Sequence, residues 1–290
     1  MAVHLAWTTL GSPRWPIDRV FAECARAGYE GVEFRCLHGK AIDPSLPAED
    51  RRQMQRGATE SGLPIIAIGA SSAFSSPDPA VRAAQEADLR GMLQLAHEVG
   101  APMVRAYGGG FPKAYAEDAA RSYGGSFPAG VAADAVCDYI AESIWRVVPR
   151  AAELGVRIVL ETHDGLSSAA MAAKVLQRLD TPHVQALWDV LHPTRMGETP
   201  RQVWDLIGPR VHHVHFKDGR RDPTGRWRAA MDGEGEVPLL DCLRVLHEEG
   251  YAGWVTLEWE KHWEPDIAEP EVALPRKIEV ARGWLRELGA

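Results

Sequence analysis

The chain has 290 residues, 46% hydrophobic and 25% charged, with 27 Gly and 20 Pro, which excludes a disordered, collagen-like or coiled-coil protein. Asp plus Glu total 40 against 32 for Lys plus Arg, a formal charge of -8, so no broad basic face is available for a nucleic-acid backbone. The length suits one large domain or two small ones, and either can bury a sizeable core.

Four scattered cysteines (Cys24, Cys36, Cys137, Cys242) have no zinc-like spacing and read as free thiols in a reducing cytoplasm. The first residues, MAVHLAWTTLGSPRW, lack the basic and apolar regions of a secretory leader, and no apolar run approaches the ~20 residues of a membrane span. The expectation is a soluble cytoplasmic protein with neither a nucleic-acid nor a membrane partner. A homo-oligomer is left open.

In chain order, β-like runs occur at HLAWTTL, GVEFR, PIIAIGA, PMVRAYGG, VRIVLETH, VQALWDV, VHHVHFKD and WVTLEWE. Most are nearly continuous in apolar residues, as parallel strands buried on both faces must be. Amphipathic stretches separate them, among them IDRVFAECARAG from Ile17 and the long run from Val131 to Gly155. Gly28, Gly62, Gly100, Gly155 and Gly250 stand at helix ends, shortly before the following strand. Eight βα units predict a single (β/α)8 TIM barrel over residues 1–290, an α/β fold, with a doubly wound open sheet as the alternative. The near-repeat YGGGFP and YGGSFP, beginning at Tyr107 and Tyr123, fits no phosphate-binding spacing and reads as an aromatic lid or a plain loop.

In a TIM barrel the strands' C-terminal ends carry the site. The fifth run ends Glu161-Thr162-His163-Asp164, and the sixth continues Asp189-Val190-Leu191-His192. The seventh reads His212-His213-Val214-His215-Phe216-Lys217-Asp218, and the eighth ends Glu258-Trp259-Glu260. These four ends aim Glu161, Asp189, His215 and Glu258 at one point above the barrel axis. Three carboxylates cannot share that point in ionised form without a cation. One divalent metal ion resolves the conflict, with Mn2+ the first expectation and Mg2+, Co2+ or Zn2+ the alternatives.

Period-two alternation puts His213 and His215 on one face, with His215 nearer the mouth and His213 packed deeper. By the same rule Glu258 precedes Glu260, which begins the loop, and His163 is a rim residue beside Glu161. His4, His38, His97, His183, His247 and His262 fall outside the pattern and read as surface or packing residues. The acidic stretch from Asp232 to Glu236 reads as a turn, with a secondary role left open.

This constellation resembles the xylose isomerase-like TIM-barrel superfamily, which holds sugar phosphate isomerases and epimerases. The residues that carry the resemblance are Glu161 of VLETHD, Asp189 and His192 of WDVLHP, His215 of HVHFKDG, and Glu258 of LEWE. The ketose 3-epimerases of that group imply Glu161, Asp189, His215 and Glu258 as metal ligands, with Glu161 and Glu258 also the acid-base pair. They further imply that His192 and Arg221 bind the first carbons of the substrate. A related abasic-site endonuclease needs extra histidines, where this chain has Arg35, the Ala70-Ser71-Ser72 stretch and Asp232-Gly233-Glu234, so the nuclease reading is set aside.

The expected activity is isomerisation or epimerisation of a small ketose or related polyol-ketone through a cis-enediolate. The alternative is a lyase on the same scaffold, like the inosose or dehydroshikimate dehydratases, with His163, His192 or Lys217 as acid over the leaving oxygen. A third reading, a non-catalytic sugar-binding barrel, is disfavoured because all four ligand positions are filled. No Gly-rich phosphate cup follows the seventh or eighth run, which points away from a phosphosugar.

Overall fold

The computed structural model describes residues 3–110 and 131–289. The second copy of the near-repeat, and with it most of the expected lid, lies outside these residues. Eight parallel strands close into a barrel: β1 His4–Thr8, β2 Gly31–Phe34, β3 Ile65–Ala73, β4 Met103–Tyr107, β5 Arg157–Glu161, β6 Val184–Asp189, β7 Val211–Phe216 and β8 Trp254–Leu257. Each strand pairs with its neighbours in sequence, and β1 closes the ring against β8 through Ala6 opposite Thr256. Closure rules out the open doubly wound sheet.

The helices follow from the apolar spacing. In α1 (Ile17–Ala27), Ile17, Val20, Phe21 and Cys24 form one buried stripe against the barrel wall. Helix α2 spans Ala48–Ser61, α3 Pro79–Val99 and α4 Ala133–Leu154. At the end of α3, Gly100 takes φ +77° and donates to the carbonyls of Ala96 and His97, turning the chain straight into β4. An L side chain disfavours that conformation, which is why a glycine marks the boundary.

Two cores result. The larger lies between the strands and the helices and contains Phe34, Ile68, Leu93, Ile144 and Val214. The smaller fills the barrel itself with Ala6, Ile66, Ala67, Met103, Val159 and Leu187. Each fully buried large apolar side chain contributes about 1.5–3 kcal/mol relative to exposure.

The inner core also sets the site. Two residues beyond Met103, Val159 and Leu187, on the same inward face, stand Arg105, Glu161 and Asp189. Strand pairing then brings Asp189 opposite His215, and His215 opposite Thr256, so that Glu258 follows in the same layer.

Two short antiparallel hairpins that the sequence reading did not anticipate extend from the mouth. Cys36–Leu37 pairs with Lys40–Ala41, and Asp218–Arg221 pairs with Trp227–Ala230. Cys24, Cys36, Cys137 and Cys242 are all buried free thiols.

Candidate metal centre

Glu161 ends β5, Asp189 ends β6, His215 is the penultimate residue of β7, and Glu258 directly follows β8. All four are buried, and one potential ligand atom from each lies within 4.8 Å of the other three. His215 Nδ1 is 3.5 Å from Glu161 Oε1 and 3.4 Å from Glu258 Oε1. Asp189 is oriented by its second oxygen: Oδ1 accepts the Leu191 amide at 2.9 Å, which leaves Oδ2 for the centre.

Each glutamate turns Oε1 toward His215 Nδ1 and Oε2 toward a cation. Among the described residues, Glu161 Oε2, Asp189 Oδ2, Glu258 Oε2 and His215 Nδ1 are buried and make no well-formed hydrogen bond, while cations stand close to three of them: Arg105 Nε is 3.3 Å from Glu161 Oε2, and Lys217 Nζ is 2.9 Å from Asp189 Oδ2 and 2.7 Å from Glu258 Oε2. A set of three carboxylates and one imidazole with ligand atoms within 4.8 Å of one another suits a divalent cation. The donor set therefore fits the metal.

Electrostatics tell the same story. Burial drives the Asp189 carboxyl up to about 7, against the pull of Lys217, with the charges of Glu258 and Glu161 adding to the rise. Burial also opposes ionisation of Glu161, but Arg105, His215 and His163 outweigh it and hold its carboxyl well below the usual range. Glu258 follows the same pattern, with Lys217 and His215 overcoming burial to lower it. One acid of the trio thus cannot ionise comfortably without further positive charge.

The chain matches a family model described as the xylose isomerase-like TIM barrel over residues 21–288. It belongs to the xylose isomerase-like TIM-barrel family. Fructoselysine 3-epimerase of Escherichia coli O157:H7 is 24% identical over 289 residues, 96% of this chain and 97% of that protein. Inosose dehydratase of Lacticaseibacillus casei is 27% identical over 155 residues, 48% of this chain and 51% of the relative, so that match spans about half of its length. The crystal structure of the IOLI protein with a binding zinc atom superposes with a TM-score of 0.79 at 14% identity, covering 99% of both chains. That similarity establishes the shared barrel.

Around this candidate centre, the other expected site residues fall into two groups. His192, on the short helix α5 (Leu191–Arg195), is buried, and its Nε2 lies 3.6 Å from Asp189 Oδ2. Burial pushes its pKa well down, with the neighbouring His163 and Lys217 charges adding to this, so the ring is neutral. His163 stacks between His192 and Tyr107, with ring centroids 4.3 and 4.5 Å away, and its Nδ1 is 3.0 Å from Asp164. Lys217 Nζ sits 2.9 Å from Asp189 Oδ2, 2.7 Å from Glu258 Oε2 and 2.7 Å from Glu260 Oε1.

Arg221 is not brought into this cluster. It is exposed at the end of the hairpin strand Asp218–Arg221, with its guanidinium 5.4 Å from the Trp227 ring. Asp232 likewise turns away, into a buried ion pair with Lys277. The glycines of the DGEGE turn instead wrap Asp218, whose carboxylate accepts the amides of Gly219, Gly233, Gly235 and Val237 at 2.8–3.1 Å.

Two residues near the centre escaped the sequence reading. Glu33, on β2, accepts a hydrogen bond from His215 Nε2 at 2.9 Å, while Thr8 donates to its other oxygen at 3.1 Å. With the proton on Nε2, His215 keeps the Nδ1 lone pair for a metal, the arrangement by which a carboxylate orients a ligating imidazole. Burial resists the Glu33 charge, but His215 and His213 overcome it and bring its pKa to about 2. Arg105 is the second, with Nε 3.3 Å from Glu161 Oε2. His213 lies deeper, with Nε2 2.7 Å from Thr256 Oγ1.

Proposed function

We propose that this chain is a divalent-metal-dependent isomerase or epimerase of a small ketose or related polyol-ketone, working through a cis-enediolate. Glu161, Asp189, His215 and Glu258 hold the ion, with Mn2+ the first candidate, and Glu161 and Glu258 form the acid-base pair. One observation carries the reading. Two buried glutamates reach the same imidazole nitrogen from β5 and β8, strands separated by β6 and β7. A substrate seated between them meets a carboxylate on each side.

The bound metal supplies Lewis-acid polarisation of the substrate carbonyl and stabilises the negative charge that develops on its oxygen. The side chains supply the proton transfers. One glutamate removes the proton from the carbon beside the carbonyl, and the other returns a proton to the opposite face or to the neighbouring carbon. Arg105 keeps Glu161 ionised and Lys217 does so for Glu258. Neutral His192 can donate to or accept from a substrate hydroxyl, and the stack of Tyr107, His163 and His192 forms one wall of the mouth.

A dehydratase is the second reading, favoured by the position of His163. Burial works against its protonation, but Asp164 prevails and raises its pKa, so it can serve as the acid for a departing hydroxyl. Incubation with Mn2+ and a panel of free and phosphorylated ketoses in D2O tests both. Mass-neutral conversion with deuterium at the exchanged carbon supports the isomerase. Loss of water with a growing enone absorbance supports the dehydratase, and no exchange with any sugar overturns the shared proton abstraction.

A further inference from the structure

Lys217 stands among the acids of the β5 to β8 side, and on the β2 to β4 side two further buried cations share the mouth with Glu33. Arg35 directly follows β2 and is 3% exposed, and Arg105 on β4 is 1% exposed. Glycine at position 69 of β3 lets them approach. A Cβ there would lie 2.7 Å from Arg35 Cδ and 3.2 Å from Arg105 Nη2, which places those two atoms no more than about 6 Å apart.

Their donors are not used up. Among the described residues, Arg35 Nε and Arg105 Nε and Nη1 have no hydrogen-bond acceptor. Glu33 does not take them, since its oxygens accept from Thr8 and His215. Arg105 approaches Glu161 Oε2 at 3.3 Å without hydrogen-bond geometry. Arg35 Nη1 reaches the Gly69 carbonyl at 3.3 Å and the Arg105 guanidinium lies 4.0 Å from the Tyr107 ring centre, and the donors still open on both planar forks match carboxylate and phosphate oxygens.

We propose that Arg35 and Arg105 form a subsite for an anionic group on the substrate, a carboxylate or a phosphate. This inference rests on the isomerase reading for the identity of the remainder of the ligand. Arg105 touches a metal-ligand candidate, so the anion sits on a carbon next to the reacting ones. That closeness, and the lack of a Gly-rich phosphate cup, favour the carboxylate.

Calorimetric titration of the Mn2+-loaded protein with three sugars that differ at carbon 1 tests the subsite. These are D-fructose, D-fructose 1-phosphate and 2-keto-D-gluconate. At least one anion is expected to bind about tenfold or more tighter than D-fructose, the scale of one charge-assisted hydrogen bond. Which anion wins distinguishes phosphate from carboxylate.

Arg35→Gln should abolish that preference while leaving D-fructose affinity unchanged, and Arg35→Lys should restore part of it. Arg105→Lys should also remove the anion preference, and if it fails to fold, as judged by circular dichroism, the Arg35 pair carries the test. Equal binding of all three sugars, equal weakening of all three by Arg35→Gln, or no binding at all overturns the proposal. Deuterium uptake in the same samples separates the two claims. An intact anion preference with no exchange sinks the isomerase reading and leaves the subsite standing.

Discussion

The two halves of the barrel mouth are built differently. From β5 to β8, every strand end carries polar residues, which bring Glu161, Asp189, His215 and Glu258 to one centre. From β1 to β4, the polar residues near the centre are Thr8, Glu33, Arg35 and Arg105, the last three each set between apolar neighbours. The first half gathers the candidate ligand atoms with Lys217 beside them, and the second adds Glu33 against His215 and the cations Arg35 and Arg105. Donors that face a metal look alike in any sequence. The residues that orient them do not, because their role depends on what lies across the barrel.

The largest expected effect comes from breaking the first half. Changing Glu161 or Glu258 to Gln removes a base and a negative ligand together. Turnover on the true substrate should fall by roughly 10^3-fold or more, because proton transfer and electrostatic stabilisation are lost at once. Metal should be weakened but retained, since three ligands and an amide oxygen remain. Near-native activity of Glu161→Gln would refute the two-glutamate mechanism.

Breaking the second half should give a different signature. Glu33→Gln leaves the four ligands intact but weakens the acceptor for His215 Nε2, so metal affinity should drop by about 10- to 100-fold. The readout is the Mn2+ dissociation constant measured by electron paramagnetic resonance. An unchanged constant in a folded variant would mean that Glu33 merely fills space.

The contrast also explains what could be read in advance. The barrel was legible because eight apolar runs alternate with amphipathic helices, and its centre was legible because LETHD, WDVLH, HVHFKD and LEWE each follow such a run. Glu33 was not, since its partner His215 lies 182 positions away and only closure of the ring brings them together. Arg35 was noticed only as a missing histidine. Arg221 was placed by its offset from His215, but a hairpin intervenes and carries it to the surface. Spacing in sequence predicts position along a strand, and it fails where the chain folds back on itself.

A smaller effect is expected one layer below the centre. His213→Asn should lower stability by about 1–3 kcal/mol, because Thr256 loses a buried partner. Thermal melting should show the loss, with residual activity in whatever folds. A melting temperature equal to that of the parent protein would show that the contact contributes little.

The smallest effect lies outside the mouth, at His212. Partial burial lowers its pKa, and Arg157, which donates to Nε2 at 2.6 Å, lowers it further. The folded state thus binds this proton less readily than the unfolded chain does. The resulting stability is present above pH ~6.5 and declines as the pH falls through the lowered folded value. His212→Gln should flatten the stability profile below about pH 6.5. An unchanged slope would assign the acid sensitivity to other groups.

The account stands on one ion held by four side chains. Titrating Mn2+ into the chelator-treated protein, with Asp189→Asn in parallel, tests that claim most directly. The prediction is one tight site per chain in the parent protein and a much weaker one in the variant, where the shared charge has changed but the fold has not. A parent protein that takes up no divalent ion, or a variant that binds it equally well, contradicts the assignment of this centre.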